Sequence, residues 1–226
     1  MSAITLATLK TRCRERADMV DSEFIPDTEL LTYINASYTE LYDILVSKFE
    51  DYFVAPPTSF TIAAAATYYT LPSDFYKLRG VDYSLGGSEY VALRKFNFNE
   101  RNQNRVSNRI ARRQPKVSYR IVGNNLYMEP GDLAPGSYRL WYTPACTLLV
   151  DDTDTLDGVN GWEEYVVVDT AIKMMAKEES DTIQLERERA RLLERIEQMA
   201  QNRDYDQPER ITDVAFDGYH DDIRRY

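Results

Sequence analysis

Between Arg101 and Lys116 the chain reads RNQNRVSNRIARRQPK, with Arg101, Arg105, Arg109, Arg112 and Arg113 and no acid among them. Guanidinium groups hold phosphates or carboxylates through paired charged hydrogen bonds, so the run could grip nucleic acid or an acidic protein. If it is helical, Arg101, Arg105, Arg109 and Arg112 share one face. Single-stranded nucleic-acid sites usually add aromatic stacking surfaces, and this stretch has none, which favours protein docking or a solvated face.

The other reactive residue types give little. His220 is the single histidine and lies in an irregular tail with no base or nucleophile that sequence can set beside it. The acidic run DDTDTLDGVNG, Asp151 to Gly161, has the composition of a calcium loop but the wrong spacing, and reads as a polar loop capping the helix that begins at Trp162. Glu163 and Glu164 are adjacent on that helix and diverge by about 100°. They suit its N-terminal dipole. Gly86 and Gly87 read as a turn, not a phosphate loop. Cys13 and Cys146 define neither a disulfide framework nor a metal cluster, and a reducing compartment follows. No catalytic, metal-binding or cofactor-binding residues are predicted.

The elements that carry these residues belong to a chain of 226 residues with net charge -10 and 43% hydrophobic residues. That is enough for one sizeable domain or two small ones. An acidic surface repels phosphate, which weighs against general nucleic-acid binding. No apolar run approaches the ~20 residues of a membrane span, and the start lacks the apolar core of a secretory signal. The product is expected to remain in a cytoplasm.

Leu6, Leu9 and Cys13 mark a first helix over 5–19. Pro26, Asp27 and Glu29 open a second, with Leu30, Leu31, Ile34, Tyr38, Leu41, Leu45 and Phe49 on its apolar face. Pro56 and Pro57 end it, and the period changes to two. Phe60 with Ile62, Tyr69 with Leu71, and Val117 with Tyr119 and Ile121 read as strands. Gly123 to Asn125 turns the chain back along Leu126 to Glu129, and Ser137 to Thr143 forms a further strand, so the middle reads as antiparallel.

From Trp162 to Gln207 there is no glycine or proline. A third helix buries Tyr165, Val168, Ile172, Met175 and Ala176, extended by Val167, Ala171 and Met174, with Asp169 and Lys173 on the opposite side. Ser180 to Thr182 makes a break and a cap before the next helix, with Gln184 three beyond Asp181. A fourth helix has a narrow stripe of Leu185, Leu192, Ile196 and Met199 amid Glu and Arg. Such a stripe packs on one partner and leaves the rest, Arg187, Arg191, Glu194 and Arg195 among it, to water or to a neighbouring subunit. After Pro208, Ile211, Val214, Phe216, Tyr219, Ile223 and Tyr226 are spaced by charges, Arg224 and Arg225 among them. This is the composition of an extended arm that orders against another protein.

In order, LKTRCRERADM, FIPDTELLTYINASYTELYDIL, YTLPSDFYKLRGVDY, NNLYMEPGDLAPGSYRLWYTPACTLL and GWEEYVVVDTAIKMMAKEESD resemble the head-to-tail adaptor (connector) proteins of tailed bacteriophages. The resemblance covers most of the chain and is strongest over Gly161 to Asp181. It implies a structural virion protein at the head-tail junction, assembled in the host cytoplasm. Such a protein forms a ring, typically a dodecamer, beneath the portal protein, joins it to tail or nozzle proteins and lines the channel through which DNA leaves. It implies no enzyme, no cofactor and no sequence-specific DNA contact.

The expected fold is α+β: a helical bundle from residues 1–55 and 151–207, an inserted antiparallel β domain over 56–150, and an arm over 208–226. The arm would bind the portal or a neighbouring subunit, Arg101 to Arg113 a subunit or tail protein, and Arg187, Arg191, Glu194 and Arg195 the next copy in the ring. The alternative is a nucleic-acid-binding module built on Arg101 to Arg113.

Overall fold

The computed structural model describes residues 4–20, 23–49, 51–63, 66–100, 117–129, 135–156 and 161–201. They form, in chain order, β1 (Ile4–Thr5), α1 (Leu6–Arg16), α2 (Asp27–Lys48), β2 (Thr58–Ile62), β3 (Tyr68–Thr70), β4 (Phe75–Gly86), β5 (Glu89–Ala92) and β6 (Arg94–Lys95). A 3-10 turn at Phe98–Glu100 precedes β7 (Ser118–Val122), β8 (Asn125–Glu129), β9 (Gly136–Pro144), β10 (Thr155–Leu156), α3 (Glu163–Lys177) and α4 (Ile183–Gln201). The class is α+β.

α3 is the axis of the helical part, because α1, α2 and α4 all pack against it. Its β-branched run Val166, Val167 and Val168 is buried on every side together with Tyr165, Ala171 and Met174. A helix surrounded in this way needs apolar residues around most of its circumference. α2 supplies Leu30, Ile34, Leu41 and Leu45 at intervals of four, seven and four, and α1 supplies Leu6, Leu9 and Cys13. On α4 the stripe is Leu185, Leu192, Leu193, Ile196 and Ala200. Met199, expected in that stripe, is 52% exposed. At 100° per residue it falls outside the arc that Ile196 and Ala200 define.

The strands build a second core. One sheet has the order β2-β9-β4-β5, another β3-β8-β7-β6, and β1 pairs with β10. Phe60, Ile62, Val81, Tyr138, Leu140 and Tyr142 from the first sheet meet Tyr119, Leu126 and Met128 from the second. Phe60 stacks on Tyr69 at 4.1 Å and on Tyr138 at 5.3 Å, joining the two layers. All pairings are antiparallel except β6 with β7, which is parallel. That corrects the purely antiparallel expectation. A parallel pair needs a long crossover, and the stretch between Lys95 and Ser118 supplies one.

The two cores meet at few points. The chain leaves the helices at Ala55, whose N–H donates to the Tyr142 carbonyl at 3.1 Å on the returning strand. Tyr42 on α2 donates its hydroxyl to the Pro144 carbonyl at 2.6 Å and stacks on Phe53 at 4.3 Å. Tyr76 on β4 donates to Asp43 on α2 at 2.8 Å.

α1 and α3 both end with an acid in the left-handed conformation, Asp18 at φ 55° and Glu179 at φ 60°. The N–H after each reaches back five residues, Met19 to the Arg14 carbonyl at 2.9 Å and Ser180 to the Met175 carbonyl at 3.0 Å. Glycine is the usual residue at this place, because a Cβ there crowds the backbone. Glu179→Gly is therefore expected to raise stability by about 1 kcal/mol. A urea midpoint at or below that of the parent chain would contradict this.

Candidate functional site

α2 would present an unbroken apolar face to α3 were it not for Ser37, which lies among Ile34, Leu41 and Leu45 with no exposed surface. Opposite it on α3 stand Asp169 and Thr170, also fully buried. The Ser37 hydroxyl donates to Asp169 Oδ2 at 2.7 Å and lies 3.2 Å from the Thr170 hydroxyl. Lys173 Nζ donates to Ser37 Oγ at 2.7 Å and to Asp169 Oδ2 at 2.5 Å. From α4, Arg189 donates to Asp169 Oδ1 at 2.7 Å. One carboxylate thus ties three helices together.

Burial alone would push the Asp169 carboxyl upward, but the hydrogen bonds from Lys173, Ser37 and Arg189 outweigh it and hold the group below the ordinary range. Arg189 is correspondingly pushed up by the same bond. The i,i+4 pairing of Asp169 with Lys173 was expected; its burial was not. The residue expected on the far side from the apolar face lies at the centre of the helices, because α4 covers that side and brings Arg189.

A serine, a lysine and an aspartate within hydrogen-bonding distance have the composition of a nucleophilic site. Here the Ser37 hydroxyl and the Asp169 carboxylate are sealed beneath α2, α3 and α4, and only the Lys173 and Arg189 side chains reach the surface. The cluster is an internal tether. Cys13, also buried, has its thiol pushed up to about 12 by desolvation, which removes it as a nucleophile at neutral pH.

The other acidic groups are placed by α1. Arg12 pairs with Glu164 and lies 3.8 Å from Glu163, and Arg16 pairs with Glu188 and lies 3.4 Å from Glu164. Expected to cap α3, whose N-cap Trp162 makes no side-chain cap hydrogen bond, the acidic run has its described part, 151–156, engaged elsewhere. It caps α1 instead. The carbonyls of Asp154 and Asp152 accept the N–H groups of Leu6 at 2.8 Å and Ala7 at 3.1 Å, and Lys10 pairs with Asp152 at 2.6 Å. β1 pairing with β10 brings the run to the start of α1, a contact across 150 residues that no local spacing reveals. The Asp154 carboxylate, held low by the N–H groups of Val150 and Asp151, faces its own loop. Among the described residues no group of three or more metal-ligating side chains gathers. No described helix is long and apolar enough to cross a membrane.

Three surfaces were predicted to bind partners, and only one falls within the described residues. Arg187, Arg191, Glu194 and Arg195 are all exposed on α4, spaced by four, three and one, on the side turned away from Ile196 and Ala200. Arg101, Arg105, Arg109, Arg112 and Arg113 lie outside the described residues. So do Ile211, Val214, Phe216, Tyr219, Ile223, Arg224, Arg225 and Tyr226, and His220 with them.

Four helices closed around the Asp169 tether and joined to a two-sheet β part suit more than one kind of protein. Comparison with protein families decides which one: residues 4–212 match the model of the SU10 adaptor protein. The chain belongs to the SU10 adaptor protein family. This is a family of phage head-to-tail adaptors, so the adaptor is a structural protein of the head-tail junction. No curated protein sequence matches the adaptor. The matched span runs from β1 through the four helices and both sheets, so the internal tether at Asp169 and the outer face of α4 lie within the family's part of the chain.

Proposed function

We propose that this adaptor forms a closed ring, of about twelve copies by resemblance to head-to-tail connectors, that joins the portal protein to tail or nozzle proteins and surrounds the exit channel for DNA. The match over residues 4–212 carries this reading. In it, residues 1–55 and 151–207 form the helical bundle, 56–150 an inserted β domain, and 208–226 an arm that reaches the portal or a neighbouring subunit. The Arg101 to Arg113 segment docks on an acidic subunit or tail protein. The ring assembles in the host cytoplasm, catalyses nothing and touches no membrane.

Several physical features support it. Closed rings repeat one heterologous contact, in which one face of a subunit meets a different face of the next. α4 offers a suitable first face, since Arg187, Arg191, Glu194 and Arg195 form a mixed, mostly positive row on a helix whose opposite side is already packed. The chain as a whole is acidic, with net charge -10, so a copy of itself is an electrostatically matched neighbour. The same excess of acid lowers counterion-release binding along a wall past which DNA must slide.

Native mass measurement of the protein alone and mixed with portal and tail proteins tests the reading. A single closed oligomer on the portal is expected. A subunit that stays solitary in the mixture, or is absent from the mature particle, would end the proposal. Reversing Arg187, Arg191 and Arg195 to glutamate is expected to abolish the oligomer while leaving the monomer folded, because juxtaposed like charges cost several kcal/mol per interface. Unchanged assembly of that variant would remove α4 from the contact.

A further inference from the structure

The outer face of the second sheet carries a row of side chains that the adaptor role does not use. Tyr68 on β3 stands opposite Tyr127 on β8, and Tyr127 stands opposite Arg120 on β7. Their chain neighbours Tyr69, Leu126, Met128, Tyr119 and Ile121 pack into the β core, so alternation sends Tyr68, Tyr127 and Arg120 outward. The rings of Tyr68 and Tyr127 are 5.5 Å apart. Beyond them the Arg120 guanidinium lies over the Phe98 ring, 5.6 Å from its centroid, and donates to the Phe96 carbonyl at 3.2 Å. The two ends of the row, Tyr68 and Phe98, are 49% and 50% exposed.

The charge around this row is opposite to that of the chain. Of the charged residues on its four strands, alternation sets Arg94, Arg120 and Glu129 on this face and Lys95 on the other, a positive balance in a protein of net charge -10. The sequence between Glu100 and Val117, which joins the Phe98 turn to β7, adds five arginines and a lysine with no acid.

We propose that this sheet face is a stacking platform for single-stranded nucleic acid. Unpaired bases lie on Tyr68, Tyr127 and Phe98, and Arg120, with Arg94 on the same face, holds the phosphates. A row of aromatic rings on a sheet face accepts any base, because every base has a π-face, and the cations track the backbone. Duplex DNA hides those faces in its own stack and gains only the charge. An acidic protein would use the cations but gain nothing from the two tyrosines. The reading is independent of where the chain sits in the particle.

The test uses the full-length protein and a fluorescently labelled twelve-nucleotide oligothymidine at low salt, read by anisotropy, with a duplex of equal length beside it. The single strand is expected to bind more tightly than the duplex. Tyr68→Ala and Tyr127→Ala are each expected to weaken it on the order of tenfold, while Tyr127→Phe keeps parental affinity. Arg120→Ala should lower the salt slope by about one. Circular dichroism checks that each variant is folded. The proposal is overturned if neither strand form binds, if the duplex binds equally well, or if both tyrosine-to-alanine variants keep full affinity. It also fails if only neutralising Arg101, Arg105, Arg109, Arg112 and Arg113 removes binding, since charge alone would then account for it.

Discussion

Asp169→Asn is expected to destabilise the helices by about 3–5 kcal/mol, the usual cost of leaving buried ion-pair partners uncompensated. For a chain of this size that lowers the midpoint of thermal unfolding by roughly 10 °C. The amide keeps the shape of the carboxylate but not its charge, so Lys173 and Arg189 would both face a neutral group in the position they now neutralise. Arg189→Ala should cost less, because Oδ1 loses the Arg189 bond but Oδ2 keeps both Lys173 and Ser37 and the charge stays paired.

The pH dependence identifies the cause. The folded carboxyl titrates below its unfolded value, so as pH falls the unfolded chain takes up the proton first. The contribution of Asp169 is whole at pH 7 and pH 5, starts to fade near pH 4, and is gone below the folded value. Parent and variant curves should therefore converge in acid. Urea titrations at a series of pH values measure this; a constant gap from pH 7 down to strong acid would mean that the loss comes from packing and not from charge.

Tyr42→Ala should have the next largest effect, about 3–5 kcal/mol for a buried aromatic ring. Its consequence differs in kind. Tyr42 is 5% exposed, holds the Pro144 carbonyl, stacks on Phe53 and meets the edge of Tyr76 at 6.3 Å. Each of those partners lies where the helices give way to strands. Removing the ring is expected to split a single cooperative unfolding transition into two, one for each hydrophobic core. Calorimetry reads this directly, and one sharp transition at a lower temperature would show that the cores remain coupled through other contacts.

Much of the helical part can be read from spacing. The apolar positions of α2 and the glycine-free run through α3 and α4 predict those helices to within a few residues. What spacing misses is polar chemistry at apolar positions. Ser37 interrupts the stripe of α2 like any exposed serine, and Asp169 is an unremarkable i,i+4 partner until α4 folds over it. β4 escapes for another reason: two register shifts, one next to Gly80, break the alternation that marks a strand. The row of Tyr68, Tyr127, Arg120 and Phe98 is invisible because it exists only in the register of three strands and a turn. The arginine run alone argues against stacking, having no aromatic residue of its own, whereas the fold sets Tyr68 and Tyr127 side by side on the sheet and Phe98 against Arg120.

The hydrogen bond from Ala55 to Tyr142 puts the outgoing and incoming chain side by side where strands succeed helices. An excursion that starts and finishes at one point can lengthen, shrink or be exchanged without shifting what it departs from. Evolution could therefore refit such a protein to a new neighbour by altering the excursion alone, while α1 to α4 keep their places.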